Sequence, residues 1–306
     1  MNPGWRIIDC TNLEGSIRYS RGQIVIYSSE TDQTTPLPLA QIAVVLIGVQ
    51  VSISGAALLK LGEFDVAVLV CDWKNIPVAG AFPWSPHTRI GARHNAQASL
   101  SRPAKKRAWA QLVKTKIQNQ ATTAQAVTGS DPQKLHDLAR KVLSGDRSNV
   151  EAQAARHYWS LLSESRFTRL PGQGLDPWNG ALDYGYTILR GIGIRSVAAA
   201  GLCGTLGVFH KGRDNSFALV DDLIEPFRPM VDQIVFTQID LKDELESQDK
   251  QTIVETLKTI PFTSTGTSVS TAFEELAQDF GLYVEGKKES LTPPLWKGEI
   301  NACDRI

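Results

Sequence analysis

Short apolar segments separated by turn residues occupy the first quarter of the chain. They are rich in Ile, Val and Tyr, which is typical of strands, and they cover residues 5–10, 16–18, 23–27, 42–47, 51–53 and 66–71. A helix is predicted over 56–61, where Ser54 can cap the first turn. Residues 31–38 are polar and contain prolines, so we interpret them as a loop. The pattern predicts a β-rich N-terminal unit.

Apolar positions at helical spacing dominate the rest of the chain. Pro77, Gly80, Pro83 and Pro86 first interrupt the periodic pattern and indicate a linker. Helices are then predicted over 89–100, 104–121, 131–143, 151–162, 179–190, 196–208, 229–235, 241–245, 250–259 and 268–280. Residues 287–306 are polar and are predicted to be poorly ordered.

The predicted fold class is therefore α+β with two domains. A small N-terminal β-rich domain (1–78) is followed by a linker (79–91) and a larger all-α C-terminal domain (92–306) that ends in a polar tail.

The composition is that of a globular protein with zero net charge, but its charges are segregated. The 306 residues are 42% hydrophobic and include 32 Lys and Arg against 32 Asp and Glu. Residues 73–130 contain no acid and nine basic residues: Lys74, Arg89, Arg93, Arg102, Lys105, Lys106, Arg107, Lys114 and Lys116. Such a segment is typical of a polyanion-binding surface, although a solvated basic helix face has the same composition. The predicted DNA contacts are Arg89, Arg93, Arg102, Lys105, Lys106 and Arg107.

Cysteine usage and the apolar runs indicate the compartment. Cys10, Cys71, Cys203 and Cys303 occur singly, which fits a reducing cytosol and excludes a zinc site built from cysteines. The N-terminal segment has no signal-peptide pattern, and the longest apolar runs are too short to span a bilayer. We therefore expect a cytoplasmic protein without a membrane partner.

A histidine followed by a turn and three acids is the strongest candidate for a metal site. His210 precedes a Gly/Asp/Asn turn, after which come Asp221, Asp222 and Glu225. On a helix, only one of the two aspartates can accompany Glu225 toward His210. Carboxylates with one imidazole suit Mg²⁺ or Mn²⁺ better than Zn²⁺. Alternatively, these acids only stabilise a helix N-terminus through its dipole.

Glu151 has an equally simple structural interpretation. The tetrapeptide 148–151 has the form S-x-x-E, which predicts a capping box at a helix N-terminus.

The motifs that surround these acids resemble a known family. Glu151 precedes Ala154-Ala155 and Tyr158-Trp159, and later motifs are Asp176-Pro177-Trp178-Asn179, Tyr184-Gly185-Tyr186, His210 and Asp222-Leu223-Ile224-Glu225-Pro226-Phe227-Arg228-Pro229. In this combination the chain resembles the CRISPR-associated spacer-acquisition integrases, the larger subunit of the adaptation complex. The resemblance covers residues 4–285. The step of fifteen residues from His210 to Glu225 is most similar to members that accompany single-protein (type II) effectors.

The resemblance implies a β domain that forms a homodimer and a helical domain with a divalent metal site. Its catalytic residues and metal ligands would be Glu151, His210 and Glu225, with Asp222 as a further ligand or beside the ligands, and with Mg²⁺ or Mn²⁺ as the cofactor. We rank Glu225 ahead of Asp222 because Pro226 biases Glu225 away from helical geometry. We expect Asp221 to face solvent.

The implied reaction is a transesterification that joins the 3′-hydroxyl ends of short protospacer DNA to the CRISPR repeat, giving new spacers in antiviral defence. The implied partners are double-stranded DNA, a second copy of the chain, a small adaptation subunit in a hetero-oligomeric complex and, as a further candidate, the effector nuclease. Two alternatives stay open: a metal-dependent DNA endonuclease without integration, and a DNA-binding scaffold in which the acids and His210 are structural.

Overall fold

The N-terminal region contains two four-stranded sheets. The computed structural model describes residues 6–73, 77–83, 88–163, 167–172, 176–240 and 245–300. Within these residues the strands are β1 (Arg6–Cys10), β2 (Gly15–Ser20), β3 (Gln23–Ser28), β4 (Gln33–Pro38), β5 (Ile42–Ile47), β6 (Val51–Ile53), β7 (Ala67–Cys71) and β8 (Pro77–Ala81). One sheet has the order β1-β5-β7-β8 and the other β4-β3-β2-β6. A helix α1 (Gly55–Glu63) starts at Ser54, whose hydroxyl accepts a hydrogen bond from the Ala57 amide.

Strand β5 contributes to two hydrophobic cores. Its six residues are all buried, and successive side chains point to opposite faces of the sheet. Val44 and Leu46 pack with the helices of the C-terminal half. Val45 and Ile47 pack with residues of the second sheet and α1. The first sheet is therefore covered on both faces, which explains the continuous apolar run in its sequence.

The predicted loop over 31–38 is wrong in part, because β4 is a strand. It lies at the edge of its sheet, where Pro36 and Pro38 need donate no hydrogen bond to an outer neighbour. Strand β8 extends across the predicted boundary between the β-rich domain (1–78) and the linker (79–91). It pairs antiparallel with β7. Residues 84–87 of the predicted linker lie outside the described residues.

The C-terminal half is helical in its described residues, so the predicted α+β class is confirmed. Its helices are α2 (Ile90–Ser99), α3 (Arg102–Thr128), α4 (Gln133–Lys141), α5 (Val150–Leu162), α6 (Pro177–Ala199), α7 (Ala218–Leu223), α8 (Arg228–Gln238), α9 (Ser247–Thr259) and α10 (Val269–Val284). In the described part of the chain, none is long and apolar enough to cross a membrane. The helix predicted over 241–245 falls mostly outside the described residues.

Two predicted helices, 179–190 and 196–208, are instead one long helix and a non-helical segment. Helix α6 continues to Ala199, and Gly201 follows with a φ of 62°. A glycine in the left-handed region is a common way to end a helix, so residues 202–208 leave the helix axis. This segment leads directly to His210.

The prediction of a poorly ordered polar tail is wrong for residues 287–300. Trp296 is buried; its backbone N–H donates to Asn119 Oδ1 at 2.9 Å and its indole N–H donates to Gln233 Oε1 at 2.7 Å. Asn119 Nδ2 in turn donates to the Pro294 carbonyl at 3.2 Å. The C-terminal segment is thus fixed to α3 and α8.

Candidate metal centre

Helix α3 supplies one side of the candidate centre. Trp109 and Lys116 are seven residues apart, close to two turns, so they lie on one face of the helix. Asn119 and Thr123 continue that face and are fully buried. Asn119 donates to the Pro226 carbonyl at 2.7 Å and Thr123 to the Pro229 carbonyl at 2.9 Å. These bonds fix the segment that begins at Glu225 against α3.

Glu151 does not act as a cap, so the predicted capping box is wrong. Helix α5 begins at Val150, and the backbone N–H groups of Val150 and Glu151 both donate to the Asp146 carboxylate, each at 2.9 Å. Asp146 is thus the acceptor at this N-terminus. The Glu151 carboxylate is left for another partner.

Lys116 is that partner, and it joins Glu151 to Glu225. Its ammonium lies 2.6 Å from Glu151 Oε1 and 2.5 Å from Glu225 Oε2. Only 14% of the Lys116 side chain is exposed, against 22% for Glu151 and 7% for Glu225. Burial would lower the pKa of Lys116, but the charges of Glu225 and Glu151 outweigh it and raise the pKa, so the side chain is a cation.

Glu225 is also bound by Arg228. The guanidinium Nε donates to Glu225 Oε1 at 2.9 Å. Burial would raise the pKa of Glu225, but Lys116 and Arg228 outweigh it and lower the pKa to about 2. Glu225 is therefore a carboxylate at all physiological pH values.

Asp222 has a different set of partners. Its carboxylate accepts hydrogen bonds from the backbone N–H groups of Val208, Phe209 and His210, at 2.6, 3.1 and 3.1 Å. His210 Nδ1 lies 2.7 Å from Asp222 Oδ1. The side chain is 0% exposed, so Asp222 holds His210 in place and has little capacity left for a metal.

His210 is oriented by this contact. The hydrogen bond to Asp222 raises the pKa of His210, burial lowers it less, and the charges of Glu225 and Asp221 add to the increase. Because Nδ1 is engaged, Nε2 is the nitrogen that can meet a ligand, and 38% of the side chain is exposed.

Asp221 does not face solvent, contrary to the expectation. Arg190 Nε donates to Asp221 Oδ1 at 2.8 Å, and Asn215 Nδ2 donates to Oδ2, also at 2.8 Å. The side chain is 19% exposed. Asp221 joins α6, the turn after His210 and α7, which is a structural role.

The donor set fits a hard divalent cation. Glu225 Oε2 is buried and, within the described residues, accepts no hydrogen bond of normal geometry; the ion pair with Lys116 is its compensation. Two carboxylates that share one cation, with an imidazole on the adjacent loop, are oxygen-rich ligands of the kind that Mg²⁺ and Mn²⁺ prefer. Among the residues with described positions, however, no three acidic, His or Cys side chains are gathered at metal-binding distances. The ligand set Glu151, His210 and Glu225 therefore stays a prediction.

A cleft of about 250 Å³ opens beside Glu225 and Lys116 and includes Arg169, Tyr186, Arg228 and Asp232. The Arg228 guanidinium lies 4.5 Å from the centre of the Tyr186 ring. Asp232 is buried and accepts hydrogen bonds from the hydroxyls of Tyr158 and Tyr186. Burial raises the pKa of Asp232 to about 6, although both hydroxyls lower it. The cleft thus has cationic and aromatic walls.

The predicted DNA contacts divide into two groups. Arg93 is 4% exposed, donates to the Ala200 carbonyl and donates to Gln278 Oε1 at 2.9 Å, so its assignment to DNA is wrong. Arg89 pairs with Glu285 at 2.8 Å. Arg102 and Arg107 are exposed and Lys105 and Lys106 half-exposed, which leaves these four residues available to phosphates. Lys74, from the same acid-free stretch, lies outside the described residues.

Lys116, Asn119 and Arg228 were not predicted as site residues. Lys116 counted only as one of nine basic residues, because the sequence places it 35 positions from Glu151 and 109 from Glu225. Helical spacing from Trp109 gives the face of Lys116 but not what packs against it. The pairing follows from how α3, α5 and the segment after α7 pack together.

Comparisons with known proteins agree on one family. The family described as CRISPR associated protein Cas1 matches residues 11–257. The CRISPR-associated endonuclease Cas1 of Neisseria meningitidis serogroup C (strain 8013) is 36% identical over 259 residues, which cover 83% of this chain and 83% of the relative.

Solved structures share the fold. A casposase bound to integration product superimposes with a TM-score of 0.74 at 19% identity, covering 99% of this chain and 97% of that chain. A Cas6-RT-Cas1–Cas2 complex gives a TM-score of 0.75 at 19% identity, covering 97% of this chain and 36% of that much longer one.

Proposed function

The chain belongs to the CRISPR-associated Cas1 family, and from this membership and the candidate metal centre we propose that it is a metal-dependent DNA integrase and endonuclease that inserts new spacers. The reaction is a transesterification in which the 3′-hydroxyl of a short protospacer duplex attacks a phosphodiester of the CRISPR repeat, forms a new P–O bond and displaces the 3′-oxygen of the repeat strand as a free hydroxyl. The observation that carries the proposal is the pairing of Glu151 with Glu225 around one cation position, which the Lys116 ammonium occupies.

Each residue of the candidate centre would have a separate role in this reaction. A bound Mg²⁺ or Mn²⁺ would polarise the phosphoryl oxygen and stabilise charge on the attacking and leaving oxygens. Glu151, Glu225 and His210 would hold this ion. Asp222 engages Nδ1 of His210, which leaves Nε2 as the nitrogen that would bind the ion or transfer a proton. Arg228 offers a further positive charge next to Glu225.

The basic surface supports DNA as the substrate. Arg102, Lys105, Lys106 and Arg107 lie in the first turns of α3, and Lys116 lies further along the same helix. Cationic side chains on one helix can follow a phosphate backbone into the centre without reading its sequence.

Partners and compartment are part of the same proposal. A homodimer would form through the N-terminal region, where Val49 in a turn, Leu59 on α1 and Val78 on β8 are 72%, 62% and 67% exposed. A small adaptation subunit would complete a hetero-oligomeric complex, since a structural neighbour is a complex of Cas1 with Cas2. The type II assignment, the effector nuclease as a partner and the cytoplasm as the compartment stay predictions.

A strand-transfer assay tests the proposal. Supercoiled plasmid that carries a repeat is incubated with short duplex DNA and the protein, with Mn²⁺ or with a chelator. We expect joined products only with the metal and a free 3′-hydroxyl. Cleavage without joining would favour the endonuclease alternative, and DNA binding without either reaction would favour the scaffold.

A further inference from the structure

Phe209 is an exposed aromatic residue beside His210 that the proposed chemistry does not use. Phe209 is 49% exposed, whereas the neighbouring Val208 is 6% exposed. The Phe209 ring stacks on the buried indole of Trp109, with ring centres 4.2 Å apart and planes at 1°. One face of the phenyl ring is thus covered by the buried Trp109, so the exposed area of the ring belongs to its edge and its opposite face.

The backbone under this ring is held in place. The Phe209 N–H donates to Asp222 Oδ2 at 3.1 Å, between two further N–H groups bound to the same carboxylate. At Gly207 an added Cβ would lie 2.8 Å from Asp222 Oδ2 and 2.8 Å from the His210 carbonyl, so the segment fits closely around the carboxylate. An exposed ring that is held by Trp109 on one face and by its own hydrogen-bonded backbone is preorganised to stack on a ligand.

The surroundings of the ring are polar, with two cations and one acid. Thr205, Lys211, Gly212, Arg213 and Asp214 are exposed on the same segment. A hydrophobic protein partner would need a wider apolar patch than one phenyl ring. The neighbourhood instead suits a ligand that is flat, aromatic and attached to negative charge.

Helix α3 places cations on both sides of the ring. Arg102, Trp109 and Lys116 are each seven residues apart and lie on one helix face. Arg102 is therefore about 10 Å along the axis before Trp109, and Lys116 about 10 Å after it. A strand whose phosphates contact the exposed Arg102 and then run along this helix face passes Phe209 before it reaches Lys116 and Glu225.

We propose that Phe209 is a stacking platform for one unpaired nucleobase of the DNA strand that enters the candidate metal centre. The proposal rests on the proposed function, because it takes DNA as the substrate. Stacking on the free face of Phe209 would fix the nucleotide next to the reacting phosphate without selecting its sequence, since every base has an aromatic face.

The test combines variants of Phe209 with DNA substrates that each carry an abasic nucleotide at one position, and it compares their binding affinities. A fluorescent duplex with a single-stranded 3′ overhang is titrated with the full chain in EDTA, which prevents turnover. We expect one overhang position at which an abasic nucleotide weakens binding to the wild type by about fivefold or more. The same lesion should have no effect on Phe209→Leu, whereas Phe209→Trp should behave like the wild type. Equal weakening in the wild type and Phe209→Leu overturns the proposal.

Matched variants separate stacking from folding and from the reaction. Phe64 is a second exposed phenylalanine, 43% exposed and located at the end of α1, so Phe64→Leu should match the wild type at every position. A thermal melt of Phe209→Leu shows whether its fold is retained. If an abasic position weakens DNA binding to the wild type but not to Phe209→Leu, and the wild type joins no strands, the proposed function fails and the stacking site is supported. If the wild type joins strands but no abasic position distinguishes it from Phe209→Leu, only the stacking site fails.

Discussion

Asp222 and Glu225 are three residues apart and both are buried, but they bind different kinds of partner. Asp222 accepts three backbone N–H groups and contacts His210, whereas Glu225 contacts the movable side chains of Lys116 and Arg228. Backbone donors can leave only if the loop unfolds. Side-chain cations can be exchanged for a metal ion while the backbone stays where it is.

The difference underlies the proposed division, in which Asp222 serves the structure and Glu225 serves the reaction. Asp222 shapes the loop that presents Phe209 and His210. Glu225 and Glu151 already share the ammonium group of Lys116, which is a cation but not a metal ion. Five experiments test this division.

The largest effect is expected from Glu225→Gln, which keeps the size of the side chain and removes its charge. Manganese-dependent strand joining should fall by at least about a hundredfold, because a neutral amide is a poor ligand for a hard cation. DNA affinity should stay near the wild-type value. Glu151→Gln should behave alike, and the exposed Glu275→Gln is the control. Joining at the wild-type rate in Glu225→Gln would remove this residue from the centre.

Asp222→Asn should act mainly on stability. The amide has one acceptor oxygen for the N–H groups that the carboxylate now accepts, so the free energy of unfolding should fall by about 2–3 kcal/mol. Asp221→Asn is the matched variant, and because its ion pair is partly exposed it should lose less than about 1 kcal/mol. Urea denaturation of both variants gives the comparison. Equal losses would mean that backbone donors give Asp222 no special role.

Asp232 offers a third case, a carboxylate whose donors are tyrosine hydroxyls. Its pKa of about 6 in the folded protein lies above the ordinary value of 3.8. Its stabilising contribution is therefore fully present below about pH 3.8 and is lost as the pH rises through about 6.

The stability of the wild type relative to Asp232→Asn should therefore decrease from pH 4 to pH 7, by up to about 3 kcal/mol. Denaturation curves at several pH values measure the difference, in which other titrating groups cancel. A difference that does not depend on pH would contradict the assigned pKa.

Lys116→Met tests whether the ammonium occupies the place of a metal. Without a divalent ion, Glu151 and Glu225 lose their shared cation, and the variant should be less stable by about 1–3 kcal/mol. Added Mn²⁺ should raise its melting temperature more than that of the wild type, since no lysine competes for the carboxylates. Direct Mn²⁺ binding by electron paramagnetic resonance checks the affinity. Weaker Mn²⁺ binding in the variant would show that Lys116 supports the ion rather than competes with it.

The smallest effect concerns DNA affinity, which the comparison assigns to residues outside both carboxylates. Replacing Arg102 and Arg107 with Ala should reduce the slope of log affinity against log salt by roughly 0.9 for each phosphate that the protein no longer neutralises. Lys60→Ala in the N-terminal region is the control, since Lys60 pairs with Glu63. An unchanged slope would make this part of α3 a solvated face.

Local patterns were sufficient for much of the fold. The continuous apolar run and β-branched content of β5, the cap at Ser54 and the proline at the start of α3 are signals within a few residues, and the structure has each element there. The two errors at β4 and the C-terminal segment have one cause. Both segments depend on a neighbour that is distant in sequence, a sheet edge for β4 and the α3 and α8 side chains for Trp296.

The candidate site was predictable to a smaller extent. His210 and the acids stood out because their residue types are unusual together, and the geometry brings Glu151 close to Glu225. The role of Lys116 was not predictable, because a lysine on a basic helix looks the same whether it faces solvent or two carboxylates. Arg93 shows the reverse error, since local charge suggested DNA and tertiary packing buries the side chain.

Asn119 supports the segment next to Glu225 and also contacts residues that are synthesised much later. One side-chain amide donates to the Pro226 carbonyl next to Glu225 and to the Pro294 carbonyl, and its oxygen accepts from the Trp296 N–H. A ribosome makes residues 294–296 long after α3 and Glu225. The support behind Glu225 is therefore completed only when this late segment has been translated, and a nascent chain lacks the Asn119 contacts to Pro294 and Trp296 until that point.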